Sequence, residues 1–163
     1  MELVCREMIE EFKKSGTRFS PRVPEFPEMV LIEVTTRCNL SCGHCPHEEL
    51  STHHGFLGDI DAGLYRKIVD EVAEFPETWL RPFNGGEPLM RRDLPGMIRY
   101  AKDKGIRQVG ITSNGTLLGE RMRRELVEAG LDYLELCRPG AADGGGIVLD
   151  TTGSDSAGSP GTT

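Results

Sequence analysis

Cys38, Cys42 and Cys45 fall within the segment TTRCNLSCGHCP, in a chain of 163 residues that has five cysteines in all. Spaced i, i+4 and i+7, they would share one face of a helix as small core residues. Asn39, Ser41, Gly43 and Pro46 make the segment a poor helix, so it reads instead as a loop able to wrap three thiolates around a compact metal centre. Two centres stay open at this point. Structural zinc wants four protein ligands, usually from two short hooks. The fourth would be His44, His47, His53 or His54, and the sequence holds no second CxxC hook. A cubane iron-sulfur cluster normally takes four cysteines, one per iron, so three would leave one iron free for another ligand.

Such a loop does chemistry only if the fold brings other groups to it. MVLIEVT, residues 29–35, is a nearly continuous apolar and β-branched run, as in a strand covered on both faces. A helix is expected from near Asp61, with Leu64, Ile68, Val72 and Phe75 along its stripe. TWLRPFN, residues 78–84, reads as a second strand weakened by Pro82, with the turn GGEP behind it. Asp93 then reads as an N-cap ahead of Pro95; Leu94, Met97, Ile98 and Ala101 recur at helical spacing, and Gly105 closes the segment. RQVGITS, residues 107–113, is a third strand, followed by Asn-Gly and a helix carrying Leu118, Met122, Leu126 and Ala129 up to Gly130. LDYLELC, residues 131–137, is a fourth strand. This alternation predicts an α/β fold of about four parallel strands with helices outside, joined by right-handed crossovers. In such sheets functional groups gather beyond the carboxyl ends of the strands. The cysteine loop, Gly85-Gly86-Glu87 and Ser113-Asn114 each follow a strand, so all are expected on one rim.

The flanks differ from this core. Val4, Cys5, Met8, Ile9 and Phe12 mark an N-terminal helix, and three prolines in TRFSPRVPEFPE mark an extended connector, so residues 1–28 form a separate lead-in. From Arg138 the chain is rich in glycine, serine, threonine and proline, with Ile147-Val148-Leu149 its only apolar run. Such a stretch buries too little to offset its ordering entropy, so residues 138–163 are expected as a low-complexity, disordered tail. The net charge of −7 argues against a nucleic-acid partner, and the arginines at 121, 123 and 124 are interleaved with glutamates as on a solvated helix face. Nothing approaches the apolar run of about 18 residues that a membrane helix needs, so no membrane partner is expected. The N-terminus lacks the hydrophobic centre of a signal peptide, which makes the cytoplasm, where thiols stay reduced, the default compartment.

The combination of C38-N-L-S-C42-G-H-C45-P after a strand, G85-G86-E87-P88 after the next, and T112-S113-N114-G115-T116-L117-L118 after the third resembles the radical S-adenosylmethionine family. It is most similar to the peptide- and protein-modifying branch that carries a SPASM extension. The resemblance covers residues 29 to about 136 and implies a partial (β/α) barrel, of which this chain would hold the N-terminal half. It implies that Cys38, Cys42 and Cys45 hold a 4Fe–4S cluster whose open iron chelates the amino and carboxylate groups of S-adenosylmethionine. One electron would then cleave a carbon–sulfur bond, giving methionine and a 5′-deoxyadenosyl radical that abstracts a substrate hydrogen. It further implies that His44 lies near the adenine, that Gly85, Gly86 and Glu87 bind the methionyl amino group, and that Ser113 and Asn114 face cofactor or substrate. The implied partners are a reductant such as flavodoxin or ferredoxin and an unidentified substrate, a peptide among the candidates. His47, His53 and His54 match no family role; Cys5 reads as core and Cys137 as a strand-end residue without a partner.

The sequence departs from the family where LELCRPGAADGGG replaces the serine- or aspartate-containing end of the fourth strand and the later strands of the barrel. A truncated or frame-shifted reading of a longer gene is expected from this break, with the fourth strand left as an unpaired edge. A non-catalytic iron-sulfur or zinc-binding module and an inactive truncated product stand as the alternatives to an enzyme.

Overall fold

The computed structural model of the chain describes residues 24–43, 45 and 58–137, together with the backbone of 147–150. The N-terminal helix, Cys5, and His44, His47, His53 and His54 lie outside the described residues. In chain order the elements are β1 (Met29–Leu31), α1 (Ala62–Val72), β2 (Trp79–Arg81), a short 3-10 turn (Pro88–Met90), α2 (Leu94–Asp103), β3 (Gly110–Ser113), α3 (Glu120–Glu128), β4 (Tyr133–Leu136) and β5 (Ile147–Asp150).

β1 pairs parallel with β2, and β3 parallel with β4. A parallel bridge from Leu80 to Val109 joins the two pairs, so four parallel strands stand side by side in sequence order. Each α-helix lies between two of these strands in sequence, as the alternating pattern predicts. The expected unpaired edge at the fourth strand is corrected: β5 runs antiparallel along β4, with Leu134 opposite Leu149. The apolar residues 147–149 are the part of the glycine-rich segment with β-branched side chains enough to extend a sheet.

Strand alternation assigns the two sheet faces. Ile32, Val34, Leu80, Val109, Ile111 and Leu134 are buried in one core with Tyr65, Val69 and Val72 of α1, Leu94, Met97, Ile98 and Ala101 of α2, and Leu126 of α3. Met29, Leu31 and Trp79 point to the other face and stay exposed, so β1 is not covered on both faces as its composition suggests. On that face Tyr133 lies over Gly110, where a Cβ would meet its ring at 3.0 Å. The Arg81 guanidinium sits 5.6 Å from the Tyr133 ring and pairs with Glu135 at 2.9 Å. One face is thus a dry helix-covered core, and the other a polar and aromatic layer on the concave side of a partial barrel.

The helix signals hold with two differences. Asp61 caps α1 by accepting from Leu64 N–H at 2.9 Å, but the buried stripe is Tyr65, Val69 and Val72 while Leu64 is half exposed. Asp93 stands at the start of α2 without a capping bond, because its carboxylate is held by Arg91 instead. Gly105 and Gly130 end α2 and α3 at φ of 92° and 85°, the left-handed backbone that favours glycine. Arg121–Glu125 and Arg124–Glu120 pair along α3, the solvated face that the interleaved charges predict.

Candidate functional site: a thiol-lined cleft at the strand ends

Beyond Leu31 the chain leaves β2 in steps. Ile32 N–H still donates to Arg81 O at 2.9 Å, while Val34 O accepts from Ile60 N–H at 3.0 Å and Thr36 N–H donates to Gly58 O at 2.9 Å. Arg37 closes this bracket with an ion pair to Asp59 at 2.6 Å. The cysteine loop therefore starts from a fixed point at the top of β1. Within it, Cys45 N–H donates to Cys42 O at 2.9 Å.

The turn after β2 is docked directly onto that starting point. Glu87 N–H donates to Arg37 O at 2.7 Å. A Cβ on Gly86 would lie 2.2 Å from Thr35 O and 2.7 Å from Arg37 O, so only glycine permits the approach. Gly85 is less constrained: a Cβ there would meet only the Glu33 carboxylate, the end of a flexible side chain.

Glu87 is buried, and both its oxygens are engaged within the protein. Oε1 accepts from Leu89 N–H at 3.0 Å and from Ser113 Oγ at 2.8 Å, and Oε2 accepts from Asn114 N–H at 2.7 Å. One carboxylate thus ties the β2 turn to the end of β3. Asn114 extends the chain of contacts: its Nδ2 donates to Asn39 Oδ1 at 2.9 Å, and Asn39 Nδ2 donates to Thr116 Oγ1 at 2.8 Å. Thr116 Oγ1 in turn donates to Asn114 Oδ1 at 2.7 Å. Asn39, inside the cysteine motif, is therefore stapled to the β3 turn across 75 residues of sequence.

These ties leave a cleft of about 290 Å³ lined by Cys38, Cys42, Cys45, Gly85, Gly86, Glu87, Ser113 and Asn114, near the lower end of small-molecule sites at roughly 300 Å³. Leu40, Phe83, Thr112 and Cys137 complete its wall. The convergence of three strand-end loops was legible in their positions after strands. The internal use of Glu87 and Asn114 was not, because nothing local in a GGE or SNG turn says what its side chains will meet. Cys137 was missed as a cleft residue although it follows β4 as the other loops follow theirs.

Burial, and then the charges of Cys45, Cys38 and Cys137, push the Cys42 thiol up from its ordinary range. A cationic metal centre removes that penalty by pairing each thiolate with positive charge. Among the described residues no three His, Cys, Asp or Glu side chains converge on a point suited to one metal ion. A cubane spreads its ligands over separate irons, so three thiols set around the wall of a cleft fit it.

The sequence matches the Radical SAM superfamily over residues 32–136, more than half of the chain. This chain belongs to the Radical SAM superfamily. The family's cofactors are a 4Fe–4S cluster and S-adenosylmethionine. Relatives of this radical SAM chain include an Fe-coproporphyrin III synthase of Methanosarcina barkeri, 39% identical over 114 residues that make up 65% of this chain and 26% of the relative. A PqqA peptide cyclase of Bradyrhizobium diazoefficiens is 31% identical over 137 residues, 84% of this chain and 34% of the relative. The chain thus spans about a quarter to a third of the length of these relatives. Among solved structures, BtrN in complex with AdoMet and 2-DOIA superimposes with a TM-score of 0.63 at 21% identity, covering 72% of this chain and 48% of BtrN. That likeness establishes the radical SAM fold, here as a partial barrel. No helix among the described residues is long and apolar enough to cross a membrane.

Proposed function

We propose that this chain carries the cluster- and cofactor-binding part of a radical SAM enzyme, with residues 29–137 as its core and residues 1–28 and 138–163 as flanks. The observation that carries the reading is the common cleft of the three motif cysteines and Gly85–Glu87. Cys38, Cys42 and Cys45 hold the 4Fe–4S cluster. When bound, the cluster and S-adenosylmethionine supply one-electron cleavage of a carbon–sulfur bond, the source of a hydrogen-abstracting 5′-deoxyadenosyl radical.

The chain's own residues orient and enclose. Glu87 is held by three hydrogen bonds, so the backbone of Gly85 and Gly86, rather than a mobile side chain, presents polar groups to the methionyl end of the cofactor. Asn114 contributes its position through Asn39, and thereby sets the span between the cysteine loop and the β3 end; Ser113 acts on the same lock through Glu87. His44 is assigned to the adenine side. Leu40 and Phe83 make the wall partly apolar, which gives the apolar parts of a bound cofactor a surface to pack on. The electron comes from a small reductant such as flavodoxin or ferredoxin, in the cytoplasm, and the hydrogen from a peptide, protein or small molecule. The peptide cyclases among the relatives support the peptide class, while the porphyrin-related synthase supports a small molecule.

The test is anaerobic reconstitution with iron and sulfide, followed by S-adenosylmethionine and reductant. The expected result is a brown protein with about four irons per chain that releases 5′-deoxyadenosine, and loss of the iron in Cys38→Ala, Cys42→Ala and Cys45→Ala. A colourless protein with one tightly held zinc would instead establish the non-catalytic module.

A further inference from the structure

Cys137 immediately follows β4, and its N–H donates to Ser113 O at 2.8 Å. This bond sets it next to the residue whose hydroxyl holds Glu87, on the β3 side of the cleft. Its side chain lines the same cleft as Cys38, Cys42 and Cys45. Four thiols therefore surround a space in which the proposed function uses three. They arrive from opposite sides: three from the loop after β1, and one from the end of β4, the last of the four parallel strands.

That arrangement matters because a cubane with three protein thiolates has one iron without a protein ligand. A fourth thiolate lining the same cleft is the group best suited to it, since thiolate is the preferred ligand of iron in these clusters. Cys137 is exposed and follows the strand end, so it can turn towards the cleft or away from it. A side chain with that freedom can hold the open position and still yield it.

We propose that Cys137 is an in-chain, displaceable thiolate ligand of the cluster's open iron, occupying that position until S-adenosylmethionine displaces it. The exchange is redox-neutral: one iron–sulfur bond breaks, bonds to the amino nitrogen and a carboxylate oxygen of the cofactor form, and the proton that the cofactor's ammonium group gives up passes through solvent to the released thiolate. The inference rests on the proposed function and deepens it, because it makes cofactor binding competitive with a residue of the chain. The site is protected while no cofactor is present, and the apparent affinity for the cofactor is reduced by the fraction of chains in the closed form.

The experiment compares the anaerobically reconstituted full chain with its Cys137→Ala and Cys137→Ser variants. Iron content, the electron paramagnetic resonance spectrum of the reduced cluster, and the titration of that spectrum with S-adenosylmethionine are recorded. Because Cys137 is exposed, neither variant should alter the far-ultraviolet circular dichroism. The expected result is equal iron in all three and a spectrum without cofactor that differs between the parent and Cys137→Ala. The half-saturating cofactor concentration should fall about tenfold in Cys137→Ala if the parent is about nine-tenths closed. At saturating cofactor the parent and alanine spectra should coincide. Superimposable cofactor-free spectra with equal half-saturation would overturn the inference and leave the proposed function standing. Loss of iron from Cys137→Ala would overturn it as well, by making Cys137 an obligatory ligand. A parent chain that assembles no cluster would overturn both.

Discussion

Glu87 shows how a motif residue can serve a site without pointing a free charge into it. Its three acceptor bonds satisfy two backbone donors and the Ser113 hydroxyl, all at the junction of β2 and β3. Glu87→Ala would leave these donors buried and unpaired, at about 1–3 kcal/mol each before relaxation, so the variant should unfold at clearly lower urea concentration than the parent. The neighbouring glycines should separate in the same assay. Gly86→Ala drives a Cβ into the Thr35 and Arg37 carbonyls, backbone that cannot step aside, and should cost about 3 kcal/mol. Gly85→Ala meets only the flexible end of Glu33 and should change stability by less than about 1 kcal/mol. Equal losses at the two positions would mean that the β2 turn is not docked as described.

At the scale of elements, the entry to α2 is organised by an arginine. Arg91 is buried; its Nη1 donates to Val34 O at 3.0 Å and to Ile60 O at 3.1 Å, and its Nε donates to Asp93 at 2.9 Å. It thereby joins the start of α2 to the β1 exit and to the returning segment that precedes α1. The Arg91 hydrogen bond, opposed in part by desolvation, holds the Asp93 carboxyl below its ordinary range. A carboxyl lowered in the folded state contributes stability above its unfolded value of about 3.9 and loses it as pH falls through the folded value. Asp93 is 58% exposed, so the contribution is at most about 1 kcal/mol after screening. Asp93→Asn should therefore be slightly less stable than the parent at pH 7, and the difference should vanish in urea titrations near pH 2. A gap that persists in acid would assign the effect to packing.

For the whole molecule, the asymmetry of the sheet decides what the fold can do. One face is closed by three helices, and the other keeps Met29, Leu31 and Trp79 exposed below a layer made by Arg81, Thr112 and Glu135. Thr112 of this layer also lines the cleft, so the second face and the cleft are continuous. β5 protects the β4 edge, since both partners of β4 are in place along Tyr133–Leu136. Replacing residues 147–150 with glycine and serine should expose that edge. Amides of β4 bonded to β5 should then exchange quickly while those bonded to β3 stay protected, and light scattering should rise with concentration. Unchanged protection would show that β5 does not hold the edge in solution.

Much of this protein is written locally. The βα alternation, the glycine stops at 105 and 130, the cap at Asp61 and the three loops after strands all follow from short-range periodicity and turn chemistry, which act within a few residues and so can be read from them. Asn39, Ser41, Gly43 and Pro46 likewise mark the cysteine segment as a loop rather than a helix by themselves. What only the tertiary structure decided are the contacts between distant segments: Glu87 with Asn114, Asn39 with Asn114, Arg91 with Val34, Cys137 at the cleft, and β5 along β4. A buried polar group takes whichever partner the packed elements bring within reach, and that choice depends on strand register and crossover rather than on the neighbours along the chain. Leu64 and Met29 are exposed for the same reason, because an apolar side chain is covered only where another element is placed to cover it.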